Sequence, residues 1–205
     1  MSLTEKVYRQ LKELILSNKY PPGSPLSEGA LTKKLRVSRT PVREALRKLE
    51  QDGLVKIVPR RGAFVAGIST QRLWEIFKVR EIIEPELARL ATPSISFEEI
   101  CALEEELVAL QKAESLDPLK AHEVGGKVHQ LILEAIGNSL LRQFMESLQT
   151  DIARTCYFAM SKPENIAKFL HQHLEIVRAI KDRDPERAKQ KMLEHVLETK
   201  RSILG

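Results

Sequence analysis

The chain has 205 residues, of which 42% are apolar and 30% charged, as in an ordinary globular protein. It contains no apolar run long enough to cross a membrane, and its polar start, MSLTEKVYRQ, predicts no secretory signal. The net charge of +5 is uneven, because residues 1–68 contain 14 Lys/Arg against 6 Asp/Glu and carry +8. A basic N-terminal third indicates a nucleic-acid partner for that part of the chain.

The first third of the chain predicts three helices and a β-hairpin. Apolar residues recur at helical spacing through residues 4–18, and the proline-rich break YPPGSPLS follows. Ser27 can cap a second helix that ends near Arg36, and Ser38 can cap a third. Two short strands, LVKIVP and AFVAG, are joined by RRG. This order predicts a winged helix-turn-helix domain over residues 1–68.

The remainder, residues 69–205, predicts a domain made of helices alone. Breaks at proline, glycine and aspartate separate the periodic segments, which are residues 71–91, 97–114, 118–136, 139–160, 164–181 and 185–203. Because the connections are short, successive helices should pack antiparallel. The predicted fold class is therefore mainly α, with three helices and a β-hairpin wing followed by an all-α antiparallel bundle.

The two cysteines, Cys101 and Cys156, stand far apart in helical segments. Cysteines so placed are typical of small apolar core residues in a reducing compartment rather than of a disulfide framework. We therefore expect a cytoplasmic protein.

The third helix combines an apolar face with a basic one. At about 100° per residue, Arg39, Arg43 and Arg47 follow one another beside the apolar face, with Thr40 next to them. Arginine can donate two hydrogen bonds to guanine O6 and N7. The N–H groups at the helix start, near Ser38 and Thr40, can bind a phosphate. This stripe predicts a helix that reads the major groove of DNA.

The hairpin tip adds further cations. Arg60 and Arg61 precede Gly62, and two long cationic side chains there can reach a DNA backbone or minor groove. For the arginine stripe taken alone, a solvated basic face remains an alternative. The ordered combination of capped helix, turn, stripe and hairpin favours a DNA reader.

Two stretches of this region resemble the GntR family of bacterial transcription regulators: LRVSRTPVREALRKLEQDGLV, which is similar to the family's recognition segment, and PPGSPLSEGAL before it. The resemblance covers residues 4–66. It implies that Arg39 and Arg43 read bases, and that Ser38, Thr40 and the wing contact phosphates and groove edges.

One position departs from the family pattern. Gly29 stands at the start of the second helix, where many relatives carry arginine or another polar residue. Because glycine cannot make a side-chain contact with DNA there, we expect Arg36 or Lys33 to contribute more to DNA binding.

Three histidines fall on core faces of the C-terminal helices. His173 and His195 lie in the inward rows of the last two helices, each 11 residues from Asp184 at the turn. Equal distances from the turn place the two imidazoles side by side. His129 comes from a third core face, so the trio predicts a divalent-metal site, with zinc or nickel favoured by imidazole ligands. Core histidines that bond to carbonyls or carboxylates are the alternative.

Three segments of this part resemble the FCD ligand-binding domain of FadR-like GntR regulators: LWEIFKVREIIEPELARLA, VHQLILEAIGN and HLEIVRAIKDRDPERAKQKMLEHV. Many FCD domains hold a divalent metal with one aspartate and three histidines. His129, His173 and His195 match the histidine positions. The aspartate position, four residues before His129, is Gly125 in this chain.

The same resemblance implies an effector site beside the metal. With Gly125 in place of a carboxylate, the metal would keep an open position for an effector carboxylate, and the pair Gly125 and Gly126 would leave room for it. Arg80 matches an arginine that points towards the cavity in relatives and could hold that carboxylate. An exposed ion pair with Glu84 is the alternative for Arg80.

These patterns and the family resemblance together imply a bacterial DNA-binding transcriptional repressor that is not an enzyme. It is expected to bind a pseudo-palindromic operator as a homodimer, since one winged helix reads one half-site. A small carboxylate bound near the metal is expected to modulate it. Two alternatives stay open: a regulator whose C-terminal domain only dimerises, and a metallohydrolase, although HEVGG lacks the second histidine of H-E-x-x-H.

Overall fold

The computed structural model describes residues 2–160 and 163–204. The chain divides into two compact units, Met1–Ser69 and Thr70–Gly205. Helices dominate, and the strands found in the described ranges form one small sheet in the first unit. The predicted fold class is confirmed.

The first unit is a three-helix domain with a small antiparallel sheet. Its elements in chain order are α1 (Leu3–Leu16), β1 (Pro25–Leu26), α2 (Glu28–Leu35), α3 (Arg39–Gln51), β2 (Val55–Val58) and β3 (Gly62–Val65). The strand order is β1-β3-β2. The sequence does not predict β1, because it is two residues long, lies in a proline-rich break and exists through its pairing with β3.

One apolar core joins these elements and leaves one side of α3 in solvent. Val7, Leu11 and Ile15 of α1 are buried in the same cluster as Val42 and Leu49 of α3. Two polar contacts hold one flank of α3 to α1: Lys48 Nζ donates to Glu5 Oε2 at 3.2 Å and Thr4 Oγ1 donates to Glu44 Oε2 at 2.6 Å. The arginines of α3 lie away from these contacts and are exposed.

The second unit is helical in every described element. Its helices are α4 (Thr70–Ala91), α5 (Phe97–Gln111), α6 (Pro118–Ile136), α7 (Ser139–Ala159), α8 (Pro163–Lys181) and α9 (Pro185–Leu204). Their bounds agree with the predicted ones to within one residue, except at the end of α5. That helix is shorter than predicted because its buried row ends at Leu110, and residues 111–115 are all exposed.

Helix packing in the second unit brings the first and last helices together. The pair α8 and α9 pack as neighbours on either side of their short turn, as expected, and α4 packs along α9. Within the described residues, no helix has both the length and the apolarity to cross a bilayer. Cys156 is buried and Cys101 half-buried, and both are free thiols.

Two adjacent glycines lie inside α6, and their surroundings differ. A Cβ on Gly125 would lie 2.6 Å from Cε1 of Phe169 and 3.1 Å from Cε1 of His173, both on α8. A Cβ on Gly126 would have no packing partner within 4 Å. The room expected beside the glycine pair is therefore present at Gly126 only. At Gly125 the missing side chain lets the buried Phe169 ring approach α6.

We predict that Gly125→Ala and Gly126→Ala change stability in opposite directions. Alanine is the better helix former by about 1 kcal/mol, and nothing opposes that gain at position 126. At position 125 the new methyl group must displace a buried ring, and overpacking of this kind costs about 1–3 kcal/mol. Urea unfolding of both variants measures the two changes. Equal stabilisation by both would contradict the close packing of Phe169 on α6.

Candidate functional site

The predicted DNA-contacting residues all lie at the surface of the first unit. Ser38 is the N-cap residue of α3, but its hydroxyl makes no capping hydrogen bond. The start of α3 therefore keeps a hydroxyl and unpaired N–H groups available to a phosphate. The exposed residues are Arg36, Ser38, Arg39, Thr40, Arg43, Arg47, Arg60, Arg61 and Gly62.

Cations of α3 and of the β2–β3 hairpin line one concave surface. Arg43, Arg47 and Arg61 border a groove of about 520 Å³ that also includes the start of α2. The hairpin tip reaches this position through left-handed backbone at Arg60 (φ 62°) and Gly62 (φ 101°), and glycine adopts such a conformation without strain. The helix and the hairpin therefore present positive charge to the same side of this unit.

One arginine of the stripe forms an ion pair within this unit. Arg43 Nε donates to Glu28 Oε2 at 2.7 Å, and Glu28 is the first residue of α2. This contact uses Nε and leaves the terminal nitrogens of the guanidinium to reach outwards. Sequence reasoning missed Glu28, because a wheel drawn for one helix cannot show a contact between two.

In the second unit, three helices bring the predicted histidines together. His129 on α6, His173 on α8 and His195 on α9 each offer a ring nitrogen, and these nitrogens lie within 4.8 Å of one another. The ring centroids of His173 and His195 are 4.3 Å apart, which agrees with their equal distances from the turn. His173 and His195 are fully buried, and His129 is 26% exposed where it meets a cavity.

Each imidazole is oriented through its Nδ1 atom. For His173 and His195 the neighbour of Nδ1 is an oxygen at hydrogen-bonding distance, so the ring hydrogen is assigned to Nδ1 and Nε2 keeps its lone pair. For His129 the Glu84 carboxylate lies near Nδ1 as an ion-pair partner, which favours the same tautomer. The partners are Phe169 O for His173 (2.8 Å), Gln172 Oε1 for His195 (3.1 Å) and Glu84 Oε2 for His129 (3.3 Å).

The three Nε2 atoms form a set of donors that fits a metal ion. Nε2 of His129 lies 3.3 Å from Nε2 of His173, and Nε2 of His195 is buried with no hydrogen-bond partner. Facing lone pairs without a cation or proton between them are unfavourable in a buried site. Burial, more than any charge, lowers the pKa of all three histidines, so they are held in the neutral form that binds metals. Imidazole nitrogens suit zinc and nickel.

A buried ion pair lies next to this cluster. Arg80 Nε and Nη2 donate to the two oxygens of Glu84 at 2.7 and 3.3 Å, and both side chains are at most 5% exposed. Burial alone would raise the pKa of Glu84, but the charges of Arg80 and His129 and the hydrogen bond from Arg80 together outweigh it, and the pKa falls below its ordinary value. Nη1 of Arg80 is buried without a hydrogen-bond partner. The ion pair named above as an alternative therefore exists, but it is buried rather than exposed.

The ion pair and two histidines of the cluster, His129 and His173, lie at the wall of one cavity. This cavity has a volume of about 330 Å³ and is lined by residues of α4, α6, α7 and α8. Arg80, Glu84, His129 and His173 line one part of it, and Gly125 also lies in its wall. Further charged and polar lining residues are Gln130, Glu134, Arg142, Glu146 and Gln149. His122 contributes a further imidazole, whose pKa burial lowers to about 4.

Comparison with known families assigns both units. Residues 3–65 match the family described as "Bacterial regulatory proteins, gntR family", and residues 75–198 match the FCD domain. Together the two matches cover most of the chain.

Two relatives and two solved structures show the extent of the similarity. The HTH-type transcriptional repressor RspR of Escherichia coli (strain K12) is 31% identical over 98% of this chain and 89% of its own length. The Galactonate operon transcriptional repressor of the same strain is 26% identical over 99% of this chain and 97% of its own.

The two structures are more distant in sequence but share the fold. A putative transcriptional regulator GntR from Rhodococcus sp. RHA1 superposes with a TM-score of 0.78 at 22% identity, covering 100% of this chain and 99% of the other. For E. coli McbR/YncC the TM-score is 0.74 at 23% identity, with coverages of 96% and 94%. At these identities the likeness concerns the fold alone. From the two matched domains and the 31% identity to RspR, the chain belongs to the GntR family of DNA-binding transcription regulators, in the group that carries an FCD domain, and it is not an enzyme.

Proposed function

We propose that this GntR-family regulator is a repressor that binds a pseudo-palindromic operator as a homodimer. Residues 1–68 would bind DNA, and residues 69–205 would hold the metal and effector and form the dimer. Two relatives are named as repressors, which supports the sign of regulation. A single copy of α3 can read one half-site, so two copies are needed for the affinity and specificity of an operator. A regulator of this kind works in the cytoplasm, where the chromosome lies.

The DNA contacts follow from the exposed flank of α3. Arg39 and Arg43 would read base edges in the major groove, with Arg47 beside them. Ser38 and Thr40 would contact phosphates at the helix start, and the hairpin arginines would reach the backbone or minor groove. The shared groove of α3 and the hairpin is the observation that supports this arrangement.

For the second unit we propose that His129, His173 and His195 hold a divalent metal, zinc or nickel. The observation that carries this proposal is the buried Nε2 of His195, which has no partner and faces the other two rings. When bound, the metal would supply a positive centre at the cavity that attracts an anionic oxygen. The chain's own residues orient the three rings through Nδ1 and keep water from two of them by burial.

The effector proposed for the cavity is a small carboxylate. Arg80 lines the cavity and retains one unpaired guanidinium nitrogen, a suitable partner for a carboxylate oxygen. Gly126 leaves space on the α6 side. One relative's name refers to a galactonate operon, and galactonate is a small hydroxylated carboxylate of the class proposed here.

We predict that Arg43→Ala weakens binding to the cognate operator by about 1–3 kcal/mol, the contribution of a bidentate arginine–guanine contact, and weakens non-specific binding less. The probe is a duplex selected from a random pool by the unmodified protein, compared with its scrambled version at one salt concentration. Lys48→Ala is the matched control, because it removes the same charge from the flank of α3 that faces α1. An equal loss on both duplexes would make Arg43 a phosphate contact instead.

We predict that zinc stabilises the protein and that His129→Ala removes this effect. A ligand at a hundredfold excess over its dissociation constant stabilises the folded state by about 2.7 kcal/mol, which thermal unfolding with and without zinc detects. His122→Ala is the control, because His122 lies on the same helix and cavity but outside the trio. A zinc-induced shift that survives in His129→Ala would show that the trio is not the metal site.

A further inference from the structure

We propose that Glu84 links the effector cavity to the metal centre, so that an anion in the cavity and a metal on the histidines strengthen each other's binding. The inference rests on the metal site proposed above. Glu84 would be a positioning residue, since it acts on the metal through His129 and does not face the centre of the histidine trio itself.

The geometry shows that one carboxylate serves two partners. Oε1 of Glu84 accepts from Arg80 Nε at 2.7 Å. Oε2 accepts from Arg80 Nη2 at 3.3 Å and lies 3.3 Å from Nδ1 of His129. The same oxygen atom is thus shared by a guanidinium that lines the cavity and by an imidazole of the trio. The more strongly Arg80 interacts with this carboxylate, the less of its negative charge is available to His129.

Burial makes this sharing significant. The side chains of Arg80 and Glu84 are 1% and 5% exposed, so water screens their charges weakly. A carboxylate that accepts from Nδ1 of an imidazole makes its Nε2 a better metal ligand, and loss of such an outer partner typically lowers metal affinity about 10–100-fold. Other carboxylates at the cavity, Glu134 and Glu146, are exposed and therefore screened.

The packing around Gly125 leaves this role to Glu84. A carboxylate on the inner side of the trio could neutralise a divalent ion directly. The position beside His173 where such a side chain could start is Gly125, and the Phe169 ring fills the adjoining space. In the described part of the chain, the groups that could jointly hold an ion are the three histidines, without an acidic member. The negative charge that offsets a bound metal ion would then come from Glu84, which lies outside the trio and acts through His129.

Arg80 supplies the connection to the cavity. Its positive charge opposes a metal on the nearby histidines and draws Glu84 away from His129. Nη1 remains buried and unpaired. An anionic ligand, such as a carboxylate, that pairs with Arg80 offsets that charge and leaves more of Glu84 to His129. By linkage, the metal must raise the affinity of the anion by the same factor.

The test removes the charge of Arg80 by substitution instead of offsetting it with a bound anion. Arg80→Met keeps the unbranched stem of the side chain without its charged guanidinium, and zinc affinity should rise about 10-fold or more, on the scale of outer-partner effects. Adding Glu84→Gln to Arg80→Met keeps the shape of the carboxylate without its charge. Zinc affinity should then fall about 10–100-fold relative to Arg80→Met. Competition with a chromophoric chelator measures the affinities. The cobalt(II) absorption spectrum reports whether the inner ligands stay the same.

The double variant is used because Glu84→Gln alone would leave Arg80 buried and unpaired. Arg80→Gln gives the same comparison if Arg80→Met does not fold. Lys200→Met, with and without Glu81→Gln, is the matched control: this pair joins α9 to α4 at 2.7 Å but does not involve the trio, and its removal should leave zinc affinity unchanged.

Two failures are distinguishable. If Arg80→Met and Arg80→Met/Glu84→Gln bind zinc equally, the link through Glu84 is wrong and the metal site stands. If the unmodified protein and His129→Ala bind zinc equally, the metal site is wrong, and the link is overturned with it.

Discussion

Three imidazole nitrogens meet inside the second unit within 4.8 Å of one another, and the proposed function of this unit depends on that cluster. Oxygens hydrogen-bond to Nδ1 of His173 and His195, and the Glu84 carboxylate lies near Nδ1 of His129, so the Nε2 atoms of the three rings are left to face one another. The rings come from three helices, and an ion bound between them would hold α6, α8 and α9 together. Metal binding and folding of this unit are then expected to be coupled.

The charges around the trio are arranged on its outer side. Glu84 is buried with Arg80 and lies at Nδ1 of His129, on the side of the ring away from the other two histidines. The Phe169 ring fills the space beside Gly125. A metal held by neutral ligands keeps most of its positive charge, which favours an anionic effector in the adjoining cavity. The proposed metal and effector would then be linked through the ion pair within one unit.

Much of this molecule follows from its sequence, and the exceptions share a physical cause. Periodicity and breaks predict the helices, and the equal distances of His173 and His195 from the turn predict their contact, because these are properties of single helices and short turns. The contacts of Glu84 with His129, of Phe169 with Gly125 and of Glu28 with Arg43 join different helices. They depend on packing that no single-helix pattern contains. Strand β1 escapes prediction for the same reason, since its pairing partner is distant in sequence.

X-ray absorption spectroscopy of the zinc-loaded protein tests the central claim most directly, because scattering from imidazole rings identifies histidine ligands around the metal itself. The account predicts three imidazole nitrogens at one zinc, with the remaining ligands being oxygen atoms of water or buffer and no protein carboxylate. Fewer than three imidazoles, or a shell dominated by protein carboxylates, would contradict it and would make the trio ordinary core histidines.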